Sequence, residues 1–140
     1  MDFTIKSFER VGPVKFGMSI MEVRRAIDSP VHSFKKTQTS VMETDAFPDL
    51  GVHVYYKLPG ACEAIELGHP AKPSLQGHDL IGLPFSEILA WIHDLDTALQ
   101  ISDTGFKSFK CGIGVYAPYA VTSPKDPVQG VLVFERCYFD

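Results

Sequence analysis

Phe16-Gly-Met-Ser-Ile-Met-Glu-Val-Arg-Arg-Ala-Ile27 and Ile81-Gly-Leu-Pro-Phe-Ser-Glu-Ile-Leu-Ala-Trp-Ile92 are the two stretches that decide the fold. They align without a gap at an offset of 65 positions (81 − 16). Gly17 falls on Gly82, Glu22 on Glu87 and Ile27 on Ile92, while Met18 falls on Leu83 and Val23 on Ile88. Each stretch reads as the start of an amphipathic helix. In the first, Ser19 caps the helix and Glu22, three residues on, closes a capping box. In the second, Pro84 suits the first turn, where its missing N–H costs nothing. Ile20, Val23 and Ile27 share one face, as do Phe85, Ile88 and Ile92, with Trp91 and Leu95 widening the second stripe. Ser29-Pro30 stops the first helix, and the second runs to about Leu95.

A second match follows each helix. Leu50-Gly-Val-His-Val-Tyr-Tyr56 pairs with Cys111-Gly-Ile-Gly-Val-Tyr-Ala117, and both are β-rich and bounded by turn formers. A further strand is expected over about Cys62 to Leu67 in the first half and Gly130 to Tyr138 in the second. One more is expected within each of Val31 to Val41 and Leu99 to Phe109. The order in both halves is then helix, strand, strand, strand. The expected fold is α+β, a single domain over 1–140. It holds two tandem repeats of a helix plus antiparallel strands, at about 12–69 and 78–140. The repeats share one layer of sheet with the helices on one face. Pro70-Ala-Lys-Pro-Ser-Leu-Gln-Gly77 reads as the linker between them.

Side chains alternate across a strand, so Val52, Val54 and Tyr56 share one face and His53, Tyr55 and Lys57 the other. The matched pair Val54 and Val115 lies under the helices. The matched pair Tyr55 and Tyr116 lies on the open face, which also gathers Glu66. His53, Tyr55, Glu66 and Tyr116 are therefore the candidate binding residues, because tyrosine is enriched at interfaces. The acidic loop Glu43-Thr-Asp45-Ala-Phe-Pro-Asp49 and the carboxylates Asp94, Asp96 and Asp103 form a second candidate set, suited to basic groups on a partner.

Composition narrows the classes. The 140 residues carry a formal charge of −4 and are 45% hydrophobic, which fits a globular domain. An acidic chain without a Lys/Arg cluster is unsuited to nonspecific nucleic-acid or anionic-membrane binding. No run approaches the roughly 20 apolar residues of a membrane helix, and the N-terminus lacks a basic segment followed by an apolar one. Three widely spaced cysteines, Cys62, Cys111 and Cys137, suit a reducing compartment, so a cytoplasmic location is expected. None of the five histidines forms HExxH, no CxxC or Gly-x-Ser-x-Gly occurs, and Gly112-Ile-Gly114 lacks the strand-to-helix setting of a phosphate loop. No catalytic residue, metal site or cofactor is assigned, and the expected class is a binding protein rather than an enzyme.

The segment Gly12-Pro-Val-Lys-Phe-Gly-Met-Ser-Ile-Met-Glu-Val-Arg25 resembles the opening of small bacterial immunity-type proteins of polymorphic toxin systems, and Gly130-Val-Leu-Val-Phe-Glu-Arg-Cys-Tyr138 is similar to their ending. The tandem plan resembles the β-lactamase-inhibitor-protein and outer-membrane-assembly lipoprotein type of unit. Unlike exported members, this chain shows no signal segment, no lipoprotein cysteine and no cysteine pair within each repeat. The resemblance implies a cytosolic antidote that occludes the active site of a cognate toxin, such as a nuclease. An acidic antidote complements a basic toxin. Two alternatives stand beside it: a small-ligand binder or enzyme using the open sheet face, and a homodimeric structural subunit.

Overall fold

Ser19 accepts a hydrogen bond from the Glu22 N–H, and the Glu22 carboxylate accepts one from the Ser19 N–H, so the expected capping box starts the first helix. The computed structural model describes residues 1–139. Three short strands, β1 (Thr4–Lys6), β2 (Arg10–Val11) and β3 (Val14–Lys15), precede helix α1 (Ile20–Ile27). Four strands follow it: β4 (His32–Phe34), β5 (Thr44–Phe47), β6 (Val52–Lys57) and β7 (Ala61–Gly68). A small hairpin, β8 (Ser74–Leu75) and β9 (His78–Asp79), leads to helix α2 (Phe85–Leu95). Four more strands close the chain: β10 (Gln100–Ser102), β11 (Gly105–Ser108), β12 (Ile113–Tyr116) and β13 (Gly130–Phe134).

The large sheet has eight strands in the order β10-β11-β12-β13-β7-β6-β5-β4, every neighbour antiparallel. Each helix is thus followed by a four-strand meander, and the meanders meet through their last strands. Three strands per half were expected. The fourth arises because 99–109 folds as the hairpin β10–β11, and because the expected acidic loop 43–49 contains β5. A single sheet layer was also expected. A second, five-stranded sheet, β3-β2-β1-β8-β9, is present instead. It takes in part of the expected linker, since Ser74 and Leu75 pair in parallel with Thr4 and Ile5. Leu75 and Ala71 are buried, so this stretch belongs to the core.

Matched positions carry the same backbone bonds. The Gly17 N–H donates to the Cys62 carbonyl and the Cys62 N–H to the Met18 carbonyl, both at 2.8 Å. The Gly82 N–H donates to the Val128 carbonyl at 3.1 Å and the Val128 N–H to the Leu83 carbonyl at 2.9 Å. Gly17 and Gly82 have φ of 93° and 87°, a left-handed backbone that favours glycine over residues with a Cβ. The helices differ in how they start. Pro84 has no capping side chain, and the Phe85 and Ser86 N–H groups instead donate to the Asp126 and Pro124 carbonyls. Ser19→Ala is therefore expected to cost about 1 kcal/mol, because the α1 cap is a side chain. Ser86→Ala, whose cap contact is backbone, is expected to change stability little. Thermal melts of the two variants check this.

One core lies between the helices, the small sheet and the inner face of the large sheet. Val23, Ile27, Ile88 and Ile92 from the helices join Val54, Ile65, Leu67, Val115 and Val133 from the large sheet and Ile5 and Val11 from the small one. The expected inward pair Val54 and Val115 is buried here. The opposite face of the large sheet carries a separate small cluster around Tyr55, Ala64 and Phe134, with no helical residue in it.

Candidate binding surface

The outer face of the large sheet has two ends that the pairing register relates. Across β6, β7 and β13 runs the row Tyr55, Ala64, Phe134. Across β12, β13 and β7 runs the row Tyr116, Gly130, Gly68. Between them lies the central row Gly114, Leu132, Glu66, His53. His53, Tyr55, Glu66 and Tyr116 do share this face, as alternation requires.

The two ends differ in occupancy. Phe134 fills the first row, and Tyr138 stacks on it at 6.0 Å between ring centroids while Phe139 meets it edge-on at 5.0 Å. Phe8 adds an edge contact at 6.5 Å, and Lys36 Nζ lies 4.6 Å from the Tyr55 ring centre. Tyr55 is consequently only 8% exposed, so its assignment to an open surface is corrected: it is on the expected face but buried in a cluster with Ala64 and Phe134, with Lys36 over its ring. Burial, then the nearby Glu66 carboxylate, drives its phenol pKa upward. The expected strand Gly130 to Tyr138 also ends early, at Phe134. Beyond it the chain turns back, with the Tyr138 N–H donating to the Glu135 carbonyl, and Tyr138 packs against the cluster that holds Tyr55.

The second end is open. Tyr116 is 50% exposed, and beside it the sheet encloses a trough of about 830 Å³. Gly68, Gly114 and Gly130 floor it, and His53, Glu66, Gln100, Ser102, Thr104 and Lys107 line its sides. These glycines are not demanded by the backbone. None of the three has a positive φ, and a Cβ built on each meets nothing nearer than 3.6 Å. Gly105, also on the trough, is different: its φ of 146° and the nearby Val115 carbonyl exclude a side chain. Sequence reasoning missed the floor. Its signal was available, since Gly68, Gly114 and Gly130 each occupy an outward position of a strand, where glycine marks a close approach of another group.

The acidic candidates separate into two kinds. Glu43, Asp49, Asp94 and Asp103 are exposed but sit on different elements, and none lines the trough. Asp45 and Asp96 are corrected, being 1% and 6% exposed. Asp45 accepts from Arg24 Nε at 2.9 Å, Arg24 Nη2 at 2.7 Å, the Ser33 hydroxyl at 2.7 Å and the Tyr56 hydroxyl at 2.9 Å. It clamps α1 to β4, β5 and β6. Asp96 accepts from the Ser108 hydroxyl at 2.7 Å and the Ala98 N–H at 2.9 Å, anchoring the end of α2 to β11. Both carboxylates are consumed by the fold. Cys62 and Cys111 are buried, and desolvation pushes the Cys62 thiol up to about 12, away from nucleophilic use.

His53 Nδ1 lies 3.9 Å from a Glu66 carboxylate oxygen. Among the described residues no group of three or more His, Cys, Asp or Glu side chains is placed to hold a metal ion, and no helix is long and apolar enough to cross a membrane. No family model, curated protein or solved structure matches the chain.

Proposed function

We propose that this chain is a protein-binding inhibitor of the immunity type, which seats part of a cognate cytoplasm-acting toxin in the trough beside Tyr116 and so occludes the toxin's active site. The observation that carries the reading is the glycine floor. Strand glycine costs about 0.5–1 kcal/mol relative to alanine, and three such positions have both the backbone and the space for a side chain. Their common effect is to keep one end of the sheet face concave and open. The half-exposed ring of Tyr116 at its edge is the residue type that anchors protein interfaces.

Within this reading the chain is two copies of one helix-plus-meander unit. Support comes from the ungapped helix match, the reciprocal bonds at Gly17 and Gly82, and the shared φ of 71° at Gly51 and Gly112. The immunity assignment itself rests on the resemblance of 12–25 and 130–138 to such proteins and on the acidic charge. A small-ligand binder is the second reading, favoured by a trough volume within the roughly 300–1,000 Å³ of small-molecule sites.

Co-expression with the product of the adjacent gene tests the proposal, with cell survival and co-purification read together. Rescue with a one-to-one complex is the expected result. Tyr116→Ala is expected to weaken that complex while leaving the melting temperature within a few degrees of the parent, because the ring is half in solvent. Survival without the chain, or failure to co-purify, would refute the inhibitor reading and favour the ligand one.

A further inference from the structure

We infer that the group seated in the trough is an aromatic side chain of the partner, flanked by a basic one; this rests on the protein-binding reading above. The two ends of the outer face supply the argument. In the row Tyr55, Ala64, Phe134 the third position is a phenylalanine. In the corresponding row Tyr116, Gly130, Gly68 the third position is a glycine. Gly68 therefore stands to Tyr116 as Phe134 stands to Tyr55, and the trough opens where the missing ring would lie.

The filled end displays what this sheet geometry accommodates. Phe134 is buried beside Tyr55, with Tyr138 stacked on it and Phe139 edge-on. At the open end Tyr116 is half-exposed and the floor is bare backbone. A benzyl or phenol ring laid over Gly68 would stand in the row of Tyr116 as Phe134 stands in the row of Tyr55. Offset and edge-on arrangements, which Tyr138 and Phe139 adopt on Phe134, are the favourable aromatic geometries.

Charge completes the partner's description. Glu66 is two residues from Gly68 on the same face of β7, and its side chain is half-exposed. Within the chain it meets the Tyr55 hydroxyl and, at 3.9 Å, His53 Nδ1, a partner that is charged only when protonated. Lys107, the cation across the trough, lies with Nζ 4.5 Å from the Phe139 ring centre instead. A Lys or Arg next to the inserted ring would meet Glu66, in keeping with a chain of net charge −4.

The test is a nuclear magnetic resonance titration of the isotope-labelled full chain with N-acetyl-phenylalanyl-argininamide. N-acetylphenylalaninamide and N-acetylargininamide are titrated separately. Saturable shifts at the amides of Gly68, Gly114 and Gly130 are expected with both aromatic probes, and tighter binding with the one that carries arginine. Gly68→Phe should abolish them by placing its own ring in the space; the position has room, since a Cβ there meets only the Gln129 carbonyl at 3.6 Å. Glu66→Gln should remove the advantage of the arginine probe and keep the aromatic binding. Tyr116→Ala, at the exposed rim, is the variant that decides the matter should Gly68→Phe fold poorly. It should weaken the aromatic probes by about thirtyfold, the equivalent of about 2 kcal/mol at a hot spot. No saturable shift with either aromatic probe, shifts that map elsewhere, or equal binding by Tyr116→Ala would overturn the inference. A co-expressed partner that binds Gly68→Phe as tightly as the parent would also overturn it, while leaving protein binding intact. If no neighbouring gene product binds at all, the probe titration still decides the inference by itself.

Discussion

Asp45→Ala is expected to lower folding stability by about 3 kcal/mol, among the largest effects of any single polar substitution in this chain. Removing one partner of a buried ion pair costs about 3–5 kcal/mol, mainly because the other charge is left behind. Arg24 is partly exposed and can turn toward water, which places the effect at the lower end of that range. Part of the loss comes from Tyr56, whose hydroxyl donates to Asp45 and is buried with it. An unsatisfied buried donor costs about 1–3 kcal/mol. Urea unfolding should show a lower midpoint at an unchanged slope. An unchanged midpoint would mean that the clamp between α1 and β5 contributes nothing net.

The same carboxylates give the chain an acid limit. Burial tends to raise the Asp45 pKa, but the bonds from Arg24, Ser33 and Tyr56 outweigh it and hold the group below its ordinary value. At Asp96 the Ser108 hydroxyl is the main cause of a shift in the same direction. A carboxyl whose folded pKa is depressed contributes its full stability above the unfolded pKa of about 3.9. That stability is lost as pH falls through the folded value. Unfolding midpoints should therefore drop below about pH 4, and Asp45→Asn should flatten part of that drop.

Gly105→Ala and Gly130→Ala are expected to act in opposite directions, although the two glycines lie either side of Tyr116 in one row of the sheet. Gly105 has φ of 146° and its Cβ would run into the Val115 carbonyl, so the backbone of β11 or β12 must move. The expected cost is about 3 kcal/mol, at the upper end of local backbone strain. Gly130 has no positive φ, and its Cβ would meet the Leu67 carbonyl at 3.6 Å and the Tyr116 Cβ at 3.7 Å, both ordinary contacts. Alanine there should raise stability by about 0.5–1 kcal/mol through the unfolded chain's lost freedom. It should also weaken partner binding by narrowing the trough. Stability gained together with binding lost is the pattern expected of a glycine kept for function. A destabilised Gly130→Ala would mean that the floor is glycine for packing reasons.

The helices were legible because their signals are local. The Ser19 and Glu22 box, the turn at Pro84 and the three-four spacing of Val23, Ile27, Ile88 and Ile92 each act within one or two turns of chain. The inward faces of β6 and β12 were legible for the same reason, since alternation at Val52, Val54, Ile113 and Val115 is a property of the strand alone. β5 was not. Thr44, Asp45, Ala46 and Phe47 are buried on both faces, so the strand shows no alternation and its aspartate looked like a surface charge. Arg24, 21 residues away, together with Ser33 and Tyr56 makes Asp45 an interior group. The small sheet was hidden likewise, because β1 and β8 are too short to read alone and become strands by pairing across about 70 residues (74 − 4).

By itself, then, the order of residues determined where the helices begin, which strand faces turn inward, and which side chains share the outer face. Those outcomes depend on capping, periodicity and alternation, all of which act over a few residues. Tertiary structure alone decided which part of that face is accessible. The chain beyond β13 folds Tyr138 and Phe139 onto Phe134, in the cluster that buries Tyr55, because burying apolar area there outweighs leaving the rings in water, while the glycines of β7 and β13 leave the corresponding space beside Tyr116 unfilled. Whether a tyrosine is core or contact depends on what packs upon it, and here residues far apart in sequence decided the difference.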